Sequence, residues 1–311
     1  DEILLTTGSQ QVLDLFAWAI LDPGDVIITE DPSYMAALNA FFNHGAEFAS
    51  VRMDSDGMVV SEIPALIESL KKEGKKVKFI YTIVNFQNPG GSTMSVERRK
   101  ELVSIAEKYG VKIFEDDPYG YVRFDGDHLP SIFSFDKAGN TIYAGSFSKI
   151  LSPGVRVGWI SGHKDIVRQL TVFKQTTDLC SSPMTQILTY EYCRKGYLDS
   201  HLPVIIDNYR VKRDAMEGSF KKHLSPLGVT WVKPQGGFFY WLDIGSANSD
   251  ELAKRALEKQ VAILPGAPFC VNPEAGAHSI RTNFTFCQPD VIEEGVSRLA
   301  KAIQEMKIPA K

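Results

Sequence analysis

The sequence predicts an α/β protein: a large domain built on a mainly parallel sheet of the seven-stranded type, followed by a smaller α+β domain at the C-terminal end. Three observations carry this. Short, nearly all-apolar runs rich in Val, Ile, Phe and Tyr recur at "DVIIT" (25–29), "KFIYTI" (78–83), "VKIFED" (111–116), "TIYAGS" (141–146) and "RVGWIS" (156–161). Several are separated by helical patterns, as in parallel sheets covered on both faces. After "SPLG" (225–228) the rhythm changes to two strands, "VTWV" and "FFYWLDI", a helix over 249–260, strands "VAILP" and "SIRTNFTF", and a last helix from about Pro289. At 311 residues the chain also exceeds what one hydrophobic core usually supports.

Taken in order, the first helix shows its period in Val12, Leu15, Phe16, Ala19 and Ile20, and stops at the Pro23–Gly24 breakers. A second helix is expected from an N-cap at Ser95 to Gly110, a residue suited to a left-handed stop. A long helix over 197–224 shares a stripe of Leu202, Ile205, Ile206, Tyr209, Met216 and Phe220. The domain division is expected near residue 205, giving 1–205 and 206–311, with this helix as connector. The chain opens without methionine and enters a strand almost at once, so it is expected to be the tail of a longer protein.

Composition narrows the function. A net charge of −4 argues against a polyanion-binding surface, so nucleic acid is not an expected partner. No apolar run reaches the roughly 20 residues of a membrane span. Cys180, Cys193, Cys270 and Cys287 form no CxxC pair and read as reduced thiols of an intracellular, cytoplasmic protein. The six histidines show no metal-ligand spacing, and no metal is expected.

In open α/β sheets, ligands gather beyond the carboxyl ends of the strands. Four polar groups stand at such ends here: "TTGSQQ" (6–11), "NFQNPGG" (85–91), "EDDPYGY" (115–121) and "GSFSK" (145–149). By itself "TTGSQQ" is no more than a helix start, whose free N–H groups favour an anion. With Ser146, Ser148 and Arg156 nearby, a phosphate becomes the better reading. Lys149 follows an apolar strand, where partial desolvation lowers an amine's pKa and lets it form an imine with an aldehyde. Asp116 could cap a helix, bind a metal or pair with a cation. Metal is disfavoured, because its acidic neighbours Glu115 and Asp117 point to the opposite face of the strand. A phosphate cradle, an imine-forming lysine and a buried aspartate together point to pyridoxal phosphate, whose ring nitrogen needs an anionic partner.

These stretches resemble the fold-type I, class I/II aminotransferases, nearest to the 2-aminoadipate, kynurenine and aromatic or branched-chain group. "SFSKILSPGVRVGW" is similar to the family's cofactor-lysine signature, "NFQNPGG" to its Asn-Pro-Thr-Gly loop, "EDDPYGY" to its Asp-x-x-Tyr, and "EDPSY" (30–34) to the segment with the ring-stacking aromatic. "PQGGFFYWLDI", "ILPGAPF" and "SIRTNFTF" resemble its small-domain landmarks. The resemblance implies that Lys149 forms the imine with pyridoxal 5′-phosphate and then shuttles the proton between the substrate Cα and the cofactor C4′. Asp116 would hold the ring nitrogen protonated, Asn88 and Tyr119 would bond the phenolic oxygen, and Tyr34 would stack on the ring. Ser9, Gln10, Ser146, Ser148 and Arg156 would hold the phosphate. Arg281 would grip the substrate α-carboxylate, with Asn88 also on the substrate side. A homodimer with the active site near its interface is implied as well. Gly90 departs from the family, standing where threonine is usual.

The activity expected on this basis is amino transfer between an L-amino acid and a 2-oxo acid. Two alternatives stand beside it: an aminotransferase-like effector domain of a transcriptional regulator, and a pyridoxal-phosphate-dependent β-lyase using the same lysine and aspartate.

Overall fold

The computed structural model describes residues 2–307. Its large sheet has eight strands: β1 (Ile3–Thr6), β2 (Val26–Asp31), β3 (Glu47–Asp54), β4 (Gly57–Met58), β5 (Val77–Ile83), β6 (Lys112–Asp116), β7 (Thr141–Ser146) and β8 (Gly158–Ser161). Their spatial order is β1-β8-β7-β6-β5-β2-β3-β4. The pairings β3–β2–β5–β6–β7 are parallel, whereas β8 runs antiparallel to both β7 and β1. The eighth strand is the two-residue β4, folded back on β3 as a hairpin edge.

Helices cover both faces of this sheet: α1 (Ser9–Ile20), α2 (Met35–Asn43), α3 (Ile63–Lys72), α4 (Val96–Tyr109), the short α5 (Ile132–Phe135) and α6 (Lys164–Thr177). Alternation along the strands explains the three layers. Phe79, Tyr81 and Phe114 point into one core with Val12, Phe16 and Phe41, whereas Ile80 and Ile113 point into a second with Ile63 and Leu102. Phe16 meets Phe79 and Phe114 edge-on, each at 5.0 Å. The expected signals of α4 are present: Ser95 Oγ accepts from Arg98 N at 3.4 Å, and Gly110 is left-handed at φ 65°.

Beyond α6 come α7 (Pro183–Arg194) and the long α8 (Tyr197–His223). The buried residues of α8, Lys212, Arg213, Met216, Glu217, Ser219 and Phe220, all fall in its second half. The second sheet follows, with β9 (Thr230–Trp231), β10 (Phe239–Asp243), β11 (Leu264–Pro265) and β12 (Ser279–Asn283) in the order β11-β12-β10-β9, all antiparallel. Helices α9 (Ser249–Glu258) and α10 (Pro289–Lys307) accompany it.

The last two strands, β11 and β12, are among those shorter than their sequence patterns suggest. The run 261–265 pairs only at Leu264–Pro265, because left-handed Gln260 and the Val261 N–H, bonded to Ala256 O, are still closing α9. The run 279–286 stops at Asn283, whose side chain takes the Thr285 N–H and turns the chain. Among the described residues no helix is long and apolar enough to cross a membrane.

Candidate active site

The turn from β1 into α1 sits against the start of β8, since Thr6 pairs with Gly158. Gly8 is left-handed at φ 73°, and a Cβ there would stand 2.3 Å from an Arg156 guanidinium nitrogen; only glycine fits. The first turn of α1 carries no side-chain cap. Arg156 reaches the Thr7 carbonyl and the Ser148 Oγ, both at 3.4 Å, and Ser146 Oγ accepts from Ser148 N at 3.1 Å. Ser146, Ser148, Arg156 and the helix start at Ser9 are thus linked by contact, and their free donors suit a phosphate. The Gln10 side chain points elsewhere, to Ala36 O at 3.3 Å, so only its backbone N–H belongs to this turn.

A network that sequence reasoning missed steadies the turn from behind. Gln11 Oε1 accepts from Thr7 N and Lys174 Nζ, both at 2.8 Å, while Gln11 Nε2 and Thr7 Oγ1 donate to Asp178 Oδ2. Thr7 and Gln11 lie inside a motif already singled out, but nothing in the sequence joins them to residues more than 160 positions away.

Beside the turn lies a cavity of about 210 Å³ that brings together Ser9, Tyr34, Asn88, Asp116, Tyr119, Lys149 and Arg281. All seven are residues nominated from sequence. Lys149 follows the end of β7, with its Nζ 5.7 Å from the centre of the Phe238 ring. It makes no hydrogen bond or ion pair to the described residues. Burial, then the positive charges of Arg281 and Arg156, hold its pKa below the ordinary lysine value. That favours the neutral, nucleophilic amine.

Asp116 ends β6 and is 3% exposed. Its Oδ2 accepts from Tyr81 Oη at 2.8 Å, whereas Oδ1 is buried without a partner. Burial raises its pKa to about 7, against the opposing effect of the Tyr81 bond. A buried acceptor left unpaired is costly, and a cationic N–H donor would satisfy it. Its neighbours face away, as alternation requires: Glu115 accepts from Ile132 N and Phe133 N at the start of α5, and Asp117 accepts from Asn85, Tyr143 and Gly120.

Arg281, on β12, donates through Nη1 to Asn88 Oδ1 at 2.8 Å. Its guanidinium lies 4.1 Å from the centre of the Phe239 ring and 4.9 Å from that of Phe269. Its other N–H groups have no hydrogen-bond partner among the described residues, leaving a planar edge for a carboxylate. Burial lowers its pKa. The Tyr119 hydroxyl is buried beside Asn88, and burial raises its pKa. Tyr34, at the start of α2, is also raised, by burial and then by the charge of Asp116.

Phe239 is a lining residue that the sequence reading left without a role, although it lies in "PQGGFFYWLDI". The preceding glycines explain its position. A Cβ on Gly236 or Gly237 would come within 2.5 Å of Phe86, so the pair lets this segment lie flat against the loop that carries Asn88. At Gly90 a Cβ would stand 2.9 Å from Gln87 Oε1, which already accepts from Gly90 N, so the departure from threonine suits this local packing. Among the described residues no three His, Cys, Asp or Glu side chains cluster as metal ligands.

The residues fit pyridoxal phosphate: a partly desolvated amine and an orphaned carboxylate oxygen border one space, and the anion cradle meets it at Ser9. Comparison with known proteins agrees. The family model described as aminotransferase class I and II matches residues 1–299. An aromatic-amino-acid aminotransferase of Thermococcus litoralis is 42% identical over 98% of this chain and 73% of its own length. A 2-aminoadipate transaminase of Thermus thermophilus is 36% identical over 98% and 76%. The crystal structure of a Pyrococcus horikoshii kynurenine aminotransferase superposes with a TM-score of 0.95 at 41% identity, covering 98% of this chain and 76% of that one. The chain therefore belongs to the class I and II aminotransferase family, as a transaminase whose cofactor is pyridoxal 5′-phosphate.

Proposed function

We propose that this chain moves the amino group of an aromatic or 2-aminoadipate-type L-amino acid to a 2-oxo acid, with Lys149 as the catalytic residue. One observation carries this: the unpaired Lys149 amine, the orphaned Asp116 Oδ1 and the free edge of Arg281 border the same small cavity. Pyridoxal phosphate, when bound, supplies the electron sink and carries the amino group between the two substrates.

The chain's own residues do the rest. Lys149 would hold the aldehyde end of the cofactor and, as the base beside the substrate, would take the proton from Cα and deliver it to the cofactor side. Asp116 would keep a proton on the ring nitrogen. Asn88 and Tyr119 would bond the phenolic oxygen, and Tyr34 would lie against the ring. Ser146, Ser148, Arg156 and the backbone N–H groups of Ser9 and Gln10 would hold the phosphate. Arg281, flanked by Phe239 and Phe269, binds the α-carboxylate, with Asn88 on its other side. The substrate class follows the names of the three relatives above, which also favour transfer over elimination or a purely regulatory role.

We further infer a cytoplasmic homodimer. Four free cysteines suit a reducing compartment. On α7 only Thr189 is buried, while Met184, Ile187, Leu188 and Tyr190 are all exposed, apolar surface that a second copy would cover. The division between the domains falls near residue 205, a reading supported by the burial of only the second half of α8.

Lys149→Ala tests the reading. The variant loses the visible absorption that the cofactor gives in the parent protein, and half-reactions with phenylalanine, kynurenine and 2-aminoadipate fall by several orders of magnitude. An unchanged spectrum overturns it, and pyruvate with ammonia as products points to elimination.

A further inference from the structure

Tyr81 lies two residues before the end of β5, wholly buried. Its ring packs 5.3 Å from that of Phe41 and 5.8 Å from that of Phe114. The same cluster includes Phe16 and Phe79, so the packing is phenylalanine packing throughout, and a phenyl ring would fill the volume of Tyr81 equally well. A hydroxyl buried in such a place is unfavourable unless it is paired. Its partner is Asp116 Oδ2, at 2.8 Å.

Among the described residues this is the one hydrogen bond made by the Asp116 side chain. It occupies Oδ2, limits rotation of the carboxylate and leaves Oδ1 as the unpaired oxygen. Among the described residues no backbone N–H reaches the Asp116 carboxylate, in contrast to that of Glu115, which takes two. The orientation of Asp116 therefore depends on a side chain from the neighbouring strand. That strand is in register, since Tyr81 lies opposite Phe114 and Ile83 opposite Asp116.

We propose that Tyr81 is a positioning residue for the cofactor: its phenol pins Asp116 through Oδ2 so that Oδ1 is left for the protonated ring nitrogen of pyridoxal phosphate. This rests on the reading that pyridoxal phosphate binds beside Asp116. It assigns Tyr81 a role through Asp116 alone, with no contact to the substrate.

The test uses Tyr81→Phe in the full chain and two probes, pyridoxal phosphate and its 1-deaza analogue, in which a C–H replaces the ring nitrogen. Affinity is read by titrating the absorbance of the bound probe. Tyr81→Phe is expected to weaken pyridoxal phosphate about tenfold or more and the deaza analogue by less than about twofold. In an Asp116→Asn background, Tyr81→Phe is expected to add no further loss of pyridoxal phosphate affinity. Equal weakening of both probes means a merely structural tyrosine and overturns the proposal, as does unchanged affinity for pyridoxal phosphate. If the parent protein binds pyridoxal phosphate no better than the deaza analogue, the placement of the cofactor against Asp116 is wrong and the inference falls with it.

Discussion

Glu115 and Asp116 are consecutive on one strand and equally deep, yet the chain treats them differently. Glu115 faces α5 and has both oxygens paired, to backbone N–H groups at 2.8 and 2.9 Å. Asp116 faces the cavity with one oxygen on Tyr81 and the other on nothing. Burial raises both pKa values to about 7. Exposure and charge therefore do not separate the two carboxylates; hydrogen-bond satisfaction does. The satisfied side holds the structure together, and the unsatisfied side marks where a ligand's donor belongs.

The largest expected effect separates the two by function. Asp116→Asn removes the charge opposite the ring nitrogen and should lower turnover roughly 10²- to 10³-fold. Stability of the cofactor-free chain should change little, because the amide oxygen can still accept from Tyr81. Steady-state rates beside a urea melt check both halves, and a large loss of stability would erase the contrast.

Next in size, Glu115→Gln turns one of two acceptors into a donor facing an N–H at the start of α5. It should cost about 1–3 kcal/mol of unfolding free energy and leave turnover within about twofold. A collapse of turnover in a variant that still folds would mean that the two faces are coupled.

The smallest effect concerns pH. Both folded-state pKa values, about 7, lie above the ordinary values of 3.8 for Asp116 and 4.5 for Glu115, and Glu30 is similarly raised by burial, to about 8. Between pH 4 and 8 these three carboxylates thus bind more protons in the folded chain than in the unfolded one. This contribution to stability is complete below about pH 4 and is lost as pH rises through 7 to 8. The cofactor-free chain should melt a few degrees lower at pH 8 than at pH 6. Asp116→Asn should flatten part of that slope, as thermal denaturation across the range would reveal; a melting point that rises with pH contradicts the assignment.

Much of this site was legible because its residues sit in short contiguous motifs whose chemistry is local. Lys149, Asp116, Asn88 and Arg281 were each nominated at a strand end or in a landmark, and the fold brings all four to one cavity. Gln10 was legible only by position, since its side chain turns to Ala36. Tyr81, Phe239 and the Gln11–Asp178–Lys174 network were not legible. In sequence Tyr81 is one more aromatic residue in an apolar strand, and it acquires a role only when β6 lies beside β5 in register.

What the sequence by itself determined is the alternation of buried strands and helices, the turns at Gly8 and Gly110, and the residue types able to hold a phosphate, an aldehyde and a carboxylate. These follow from backbone preference and side-chain chemistry, which act over a few residues. Only the tertiary structure decided which oxygen of Asp116 is left unpaired, how Arg281 is held between Phe239 and Phe269, and that Gly236 and Gly237 exist to accommodate Phe86. Those outcomes depend on strand register and on the contact between the two sheets, which join residues 35 to more than 190 positions apart.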